Sequence, residues 1–391
     1  MIYLLSFIVV LGVLIFVHEF GHFIMARRLG IGVTKFSFGF GPKLFGIKRG
    51  ETEYLLSAIP LGGYVNLVGE SEDDSEDDSE NDSEDDSEND SEDDSENDGN
   101  EYDNKNENSA EEIPRNIADR SFNNKPTWVK IAVIAAGPLA NLIFAVVVFW
   151  FVFLGGIPAL SPKIGQVLPD TPAEKAGLMK GDIVIRIDEK QIKDWEELAA
   201  KIRMGSSDRP LVFTVIRNDA ETTIPVIPEI RESRTIFGEK VLEPKIGIAS
   251  GHDVIYHKTN PWSAFLQGFR ETGKLVYLTV MTVVKLVTRV LPSDTLGGPI
   301  LIAQIAGDQA RQGISSFAYF LGLLSVNLGI LNLLPIPILD GGHIVFFSIE
   351  GVIGRRLSLQ TREVAQKVGL ALILMLTALV FYNDIVRLLS R

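Results

Sequence analysis

The 391-residue chain is 46% hydrophobic and 23% charged, with a formal net charge of −14 and no cysteine. This length predicts two or three structural units, and the lack of cysteine excludes disulfides and any thiolate metal site. The acidity is local: residues 71–98 are seven SEDD or SEND tetrads with 18 acids and no base, so the remainder is +4 and implies no acidic surface.

Residues 1–30 begin with an apolar run over about 2–26, long enough to cross a bilayer as a helix. Inside it lies His18-Glu19-Phe20-Gly21-His22. A helix places His18 and His22 one turn apart on one face, where both imidazoles can reach one Zn²⁺. Glu19 can then take a proton from a zinc-bound water. Ionisable side chains at membrane depth are costly and read as functional, so the pattern points to hydrolysis inside a membrane. The N-terminus is not expected to be a cleavable signal: its charges, Arg27 and Arg28, follow the apolar run and no A-x-A site succeeds them.

Residues 31–70 predict a membrane-associated β-hairpin region turning at Lys48–Glu51. Loose strand edges there could pair with an extended peptide. Residues 71–125 read as a disordered acidic repeat and linker, because like charges repel and no apolar core is available. A calcium loop starting at Asp94 fails, since Lys105 stands where a bidentate Glu is needed. A second membrane helix is predicted over 126–155.

Residues 160–232 alternate as a compact α/β module. Strand-like Ile164–Leu168 precedes a turn and short helix, then Ile183–Ile187, a helix Trp195–Met204 capped by Asp194, and two further strands. The run Pro172-Ala173-Glu174-Lys175-Ala176-Gly177-Leu178, continued by Gly181-Asp182, resembles a PDZ domain of the bacterial protease type. That resemblance implies a peptide groove beside the 195–204 helix, or a spacer that only blocks access.

Over 255–300, the apolar stretch 275–284 between Lys274 and Lys285 is too short to span, and an interfacial amphipathic helix anchored by Trp262 is expected. A third membrane helix is expected over 314–345 and a fourth over 364–391, with their most apolar parts at 316–338 and 366–386. The fold class is therefore a multi-pass α-helical membrane protein of about four spans, with a β-hairpin unit and an α/β PDZ-like domain. Basic clusters after the first span and before the fourth place the hairpin and acidic repeat in the cytoplasm. The termini and the PDZ-like domain are then extracytoplasmic.

Two histidines do not complete a catalytic zinc site, which needs a third protein ligand and an open position. His252 and His257 read as surface residues. Asp340 is the only carboxylate in the apolar stretch from about 314 to 348, and Pro335 and Pro337 break the helix before it. Such a break can turn Asp340 toward the first helix; His343 is an alternative ligand.

HExxH in one span and Asn332-Leu333-Leu334-Pro335-Ile336-Pro337-Ile338-Leu339-Asp340-Gly341 in a later one together resemble the site-2 protease family of intramembrane zinc metalloproteases. Gly137-Pro138-Leu139-Ala140-Asn141, Gly297-Gly298-Pro299-Ile300 and Ser325-Val326-Asn327-Leu328-Gly329-Ile330 match as well, and point to the bacterial regulator of sigma-E protease type. The resemblance covers nearly all of the chain except roughly 70–113. It implies His18, His22 and Asp340 as zinc ligands, Glu19 as general base and Asn332 as a residue that holds substrate. It implies an inner-membrane protein whose partners are the lipid bilayer and a single-span membrane substrate, an anti-sigma factor or a signal-peptide remnant; no nucleic acid is expected. Two features depart from the pattern: there is room for one PDZ-like domain where relatives carry two, and the acidic insertion has no counterpart. A membrane scaffold presenting a PDZ groove would explain the spans but not Glu19 between two histidines. A zinc transporter would want further buried ligands along a path, and none is evident.

Overall fold

The computed structural model describes residues 1–69, 119–235, 238–251, 253–292 and 295–390. The acidic array at 71–98 and His252 lie outside the described residues. Among the described residues, four helices are long and apolar enough to cross a membrane: α1 (Ile2–Arg28), α2 (Thr127–Leu154), α7 (Ile314–Asn332) and α9 (Leu359–Leu389).

Two compact units divide the chain. The first comprises Leu11–Ala140 with Asn332–Leu370. In it α1 ends where Arg27 and Arg28 occupy its last turn and Gly30 adopts φ 69°, letting Ile31 N–H bond back to Ala26 O at 2.9 Å. The chain then enters a long bulged hairpin, β1 (Val33–Arg49) and β2 (Thr52–Leu67). Lys35–Phe38 have partners on both sides, Glu53–Leu56 and Gly63–Asn66, so the hairpin curls back on itself. Its aromatic face closes over α1: Phe23, Phe36, Leu67, Phe122, Val133 and Phe347 form one buried cluster. The helix expected through 316–338 stops at Asn332. Proline at 335 and 337 removes two N–H donors and disfavours helical backbone at the preceding residues. A new helix, α8 (Asp340–Ile353), starts only after Leu339.

The second unit comprises Met1–Val10, Asn141–Leu331 and Ala371–Arg391. Its α/β module contains β4 (Ile164–Val167), the short helix α3 (Pro172–Lys175), β5 (Ile183–Ile187), β6 (Lys190–Gln191), α4 (Trp195–Arg203), β7 (Leu211–Arg217) and β8 (Ala220–Val226). These strands form a sheet in the order β6-β5-β7-β8, with β4 paired instead to β11 (Ile248–Ser250). The pairing of β11 with β4 carries the module past residue 232, where sequence patterning ended it. The β9 (Glu229–Arg234) and β10 (Lys240–Lys245) hairpin intervenes, and β3 (Ile157–Leu160) pairs with β12 (Val254–His257). The apolar alternation of β5 and β7 places Val184, Ile187, Phe213 and Val215 in the core with Leu198 of α4. Asp194 Oδ1 accepts from Glu197 N–H at 2.8 Å and caps α4. Beyond the module, α5 (Pro261–Val287) fills the region read as amphipathic, and α6 (Pro299–Gln312), not anticipated from sequence, follows. Asp384 caps α6, accepting from the N–H groups of Gly298, Ile300 and Leu301 at 2.9–3.1 Å.

Candidate metal centre

All the candidate ligands belong to the first unit. On α1, His18 and His22 are 7% and 9% exposed, and their Nε2 atoms lie 3.2 Å apart. Asp340 opens α8 and sets Oδ2 at 3.0 Å from His18 Nε2 and 3.7 Å from His22 Nε2. Among the described residues these three side chains form a group able to hold a metal ion. Tetrahedral Zn²⁺ with N and O donors at about 2.0–2.1 Å needs donor separations of about 3.3 Å, the range observed.

The proton positions favour a cation in this space. His22 Nδ1 lies 2.9 Å from Val133 O. A carbonyl only accepts, so Nδ1 carries the hydrogen and Nε2 keeps its lone pair. Asp340 Oδ2 is buried and receives no hydrogen bond among the described residues. Lone pairs of a carboxylate and an imidazole that converge away from water repel unless a cation sits between them.

Backbone geometry fixes the ligands. A Cβ at Gly137 of α2 would come within 2.2 Å of His22 Nε2, so only glycine lets α2 pass this close to the imidazole. After the break in the chain, Ile338 takes φ 102°. A β-branched residue there is strained by about 1–3 kcal/mol, a cost typical of sites where geometry outranks stability. The loop folds onto the start of α8 so closely that a Cβ at Gly341 or Gly342 would lie 2.2–2.3 Å from the carbonyl oxygen of Leu334 or Ile336. Those two glycines allow Asp340 to sit over its own approach loop.

Glu19, half-buried, lines the same cavity as the three ligands, a space of about 430 Å³ that also includes His343 and Arg362. Its Cγ lies 3.3 Å from where a Cβ of Gly63 on β2 would project. The candidate base therefore borders both the metal-binding group and a hairpin strand. Asn332, the last residue of α7, brings Nδ2 to 3.3 Å from His18 Nε2, so it reaches a candidate ligand directly. His343 lines the cavity outside the three-residue group, and His257 approaches Asp194 Oδ2 at 3.4 Å in the other unit. Sequence reasoning missed the second-layer groups. Gly137 was visible only as part of a matched motif, whereas the carbonyl of Val133 carries no side-chain signal at all.

The profile of peptidase family M50 matches residues 6–376. The chain is similar to "Putative zinc metalloprotease Atu1380" of Agrobacterium fabrum, at 35% identity over 99% of this chain and 97% of that one. It is similar to "Putative zinc metalloprotease R01501" of Rhizobium meliloti at 33% identity, covering 97% and 95% of the two chains. It is also similar to "Regulator of sigma-E protease RseP" of Escherichia coli, at 28% identity over 98% of each.

Proposed function

This chain belongs to peptidase family M50, the site-2 proteases, and on that premise we propose that His18, His22 and Asp340 hold its zinc while Glu19 acts as general base on a peptide bond of a membrane-anchored substrate. The protein is a zinc metalloprotease with membrane-spanning helices. The observation that carries the residue assignment is the convergence of two imidazoles and a carboxylate from distant parts of the chain, with donor atoms 3.0–3.7 Å apart.

Bound zinc supplies Lewis acidity, which makes a water more acidic at neutral pH and polarises the scissile carbonyl. Glu19 takes the proton of the attacking water as oxygen adds to the carbonyl carbon. It then delivers that proton to the amine nitrogen as the C–N bond breaks. Val133 O holds His22 in one tautomer, and Asn332, whose amide lies beside His18, holds substrate. An unwound substrate segment adds to the edge of the curled hairpin near Gly63, which would bring its backbone beside Glu19. The substrate is a single-span membrane protein, an anti-sigma factor or a signal-peptide remnant, cut in or beside its span. The α/β module, read as PDZ-like and extracytoplasmic, excludes substrates that still carry bulky outer domains. The protein then resides in the inner membrane with both termini outside.

The test is cleavage of a trimmed single-span reporter by wild type and Glu19→Gln, purified in detergent, with chelation and zinc add-back in parallel. Cleavage by wild type alone, lost to chelator and regained with zinc, is expected. Cleavage by Glu19→Gln at the wild-type rate would remove Glu19 from its role.

A further inference from the structure

We infer that the chain holds a second, separate site for a phosphate ester, of the kind an anionic phospholipid headgroup presents, in the cavity beside the N-terminus of α2. The cavity, about 430 Å³, lies within the first unit. Lys125, Lys130, Arg355 and Arg356 line it, opposed by the single carboxylate of Glu350.

That carboxylate is already committed. Glu350 Oε1 accepts from the Arg362 guanidinium and, at 2.8 Å, from Leu357 N–H. Burial works to raise its pKa, and these donors override it, holding the carboxyl below its ordinary range and so ionised. Arg356 Nη2 donates to Asn123 O at 2.8 Å and ties the two walls together.

Lys130 is the informative residue. It is only 7% exposed, yet its ammonium makes no hydrogen bond or ion pair among the described residues. Its ammonium lies over the rings of Phe122 and Phe347, 5.9 and 5.5 Å from their centroids. Ring faces offset part of the cost of partly covering an ammonium, and Glu350 acts on it only from beyond ion-pair distance, so it has no contacting counter-ion. An anion in the cavity would supply that counter-ion. The side chains of Arg355 and Lys125 also have no hydrogen bond or ion pair among the described residues, which leaves their donors available. Guanidinium forks match the oxygens of a phosphate, and α2, a helix of 28 residues, adds the positive end of its dipole.

Depth favours a lipid over a soluble phosphate. The cavity opens at the first turn of a helix apolar enough to span a membrane. In that turn Trp128 is 64% exposed, and exposed tryptophan prefers the headgroup layer.

The experiment uses the full-length chain, delipidated in a non-ionic detergent at constant ionic strength. Its thermal midpoint is followed while dioctanoyl phosphatidylglycerol, dioctanoyl phosphatidylcholine or inorganic phosphate is titrated. Phosphatidylglycerol is expected to bind saturably and about tenfold more tightly than phosphatidylcholine, and Lys130→Met to weaken it by about tenfold. Arg355→Gln with Arg356→Gln should weaken it several-fold, and decides the matter alone if Lys130→Met does not fold. Saturable binding of inorganic phosphate without phosphatidylglycerol binding would keep the site and make its source soluble. Equal binding of both lipids, no saturable binding of any probe, or affinity unchanged in the variants would overturn the inference.

Discussion

Two largely buried aspartates, one in each unit, are held in opposite ways. Asp182 in the α/β module is saturated with donors: Arg217 Nε and Nη2 at 2.8 and 2.7 Å, and Met179 N–H at 2.8 Å. Asp340 turns a buried Oδ2 toward two imidazole nitrogens and receives no hydrogen bond there. The first arrangement neutralises a charge so that a fold can close over it; the second leaves lone pairs unsatisfied, as the proposed role of metal ligand requires. The difference teaches that a buried carboxylate's role is read from what it lacks as well as from what it touches. The strained Ile338 beside Asp340 fits the same division.

The comparison breaks most directly at Asp340. Asp340→Asn is expected to lose zinc and all detectable cleavage, whereas Glu19→Gln should keep zinc and lose about 10²–10⁴-fold in rate. Metal analysis beside reporter cleavage checks both, and stoichiometric zinc in Asp340→Asn would end the contrast.

A subtler break comes from Gly137→Ala, whose methyl group must displace His22. Zinc affinity should fall about 10–100-fold, as when a supporting group of a metal ligand is lost, measured by competition with a chelating dye. Arg217→Met attacks the other aspartate. Removing its partner should destabilise the module by about 2–3 kcal/mol, discounted because Arg217 is partly exposed. Hydrogen exchange over β5 and β7 would show it, with zinc content unchanged; a fall in zinc content would mean the two carboxylates are not independent.

The same pair predicts a pH dependence. Burial alone would raise the Asp182 carboxyl, but Arg217 and Met179 N–H hold it below its ordinary value. The unfolded chain therefore binds the proton first, so the stabilisation is complete above the unfolded value of about 4 and is lost as pH falls through the lower folded one. Arg217→Met should flatten that acid limb in a pH series of module protection. The smallest effect is expected from deleting residues 71–98, which should leave reporter cleavage within about a few-fold of wild type, as a solvated charge run would.

Much of this was legible in the chain because its signals are local. HExxH needs only the helical period to align two imidazoles, and the spans follow from apolar length. Pro335 and Pro337 announced a break, and Asp340 stood out as the lone carboxylate of an apolar stretch. The α6 helix and its Asp384 cap were not legible, since the capping carboxylate lies far away in sequence from the N–H groups it serves. The β11–β4 pairing failed for a similar reason: a three-residue strand has too little pattern to reveal a partner on the far side of the module.

By itself, then, the amino-acid order determined the chemistry on offer, two imidazoles in a membrane-length helix and a carboxylate after a proline-broken one, because residue type and helical spacing are properties of neighbours. Only the tertiary structure decided that His22 is locked by Val133 O, that α2 must pass with glycine at 137, and that Lys130 rests on two rings with no ion pair among the described residues. Those outcomes depend on backbone groups and on contacts between segments far apart in the chain, which no local pattern encodes.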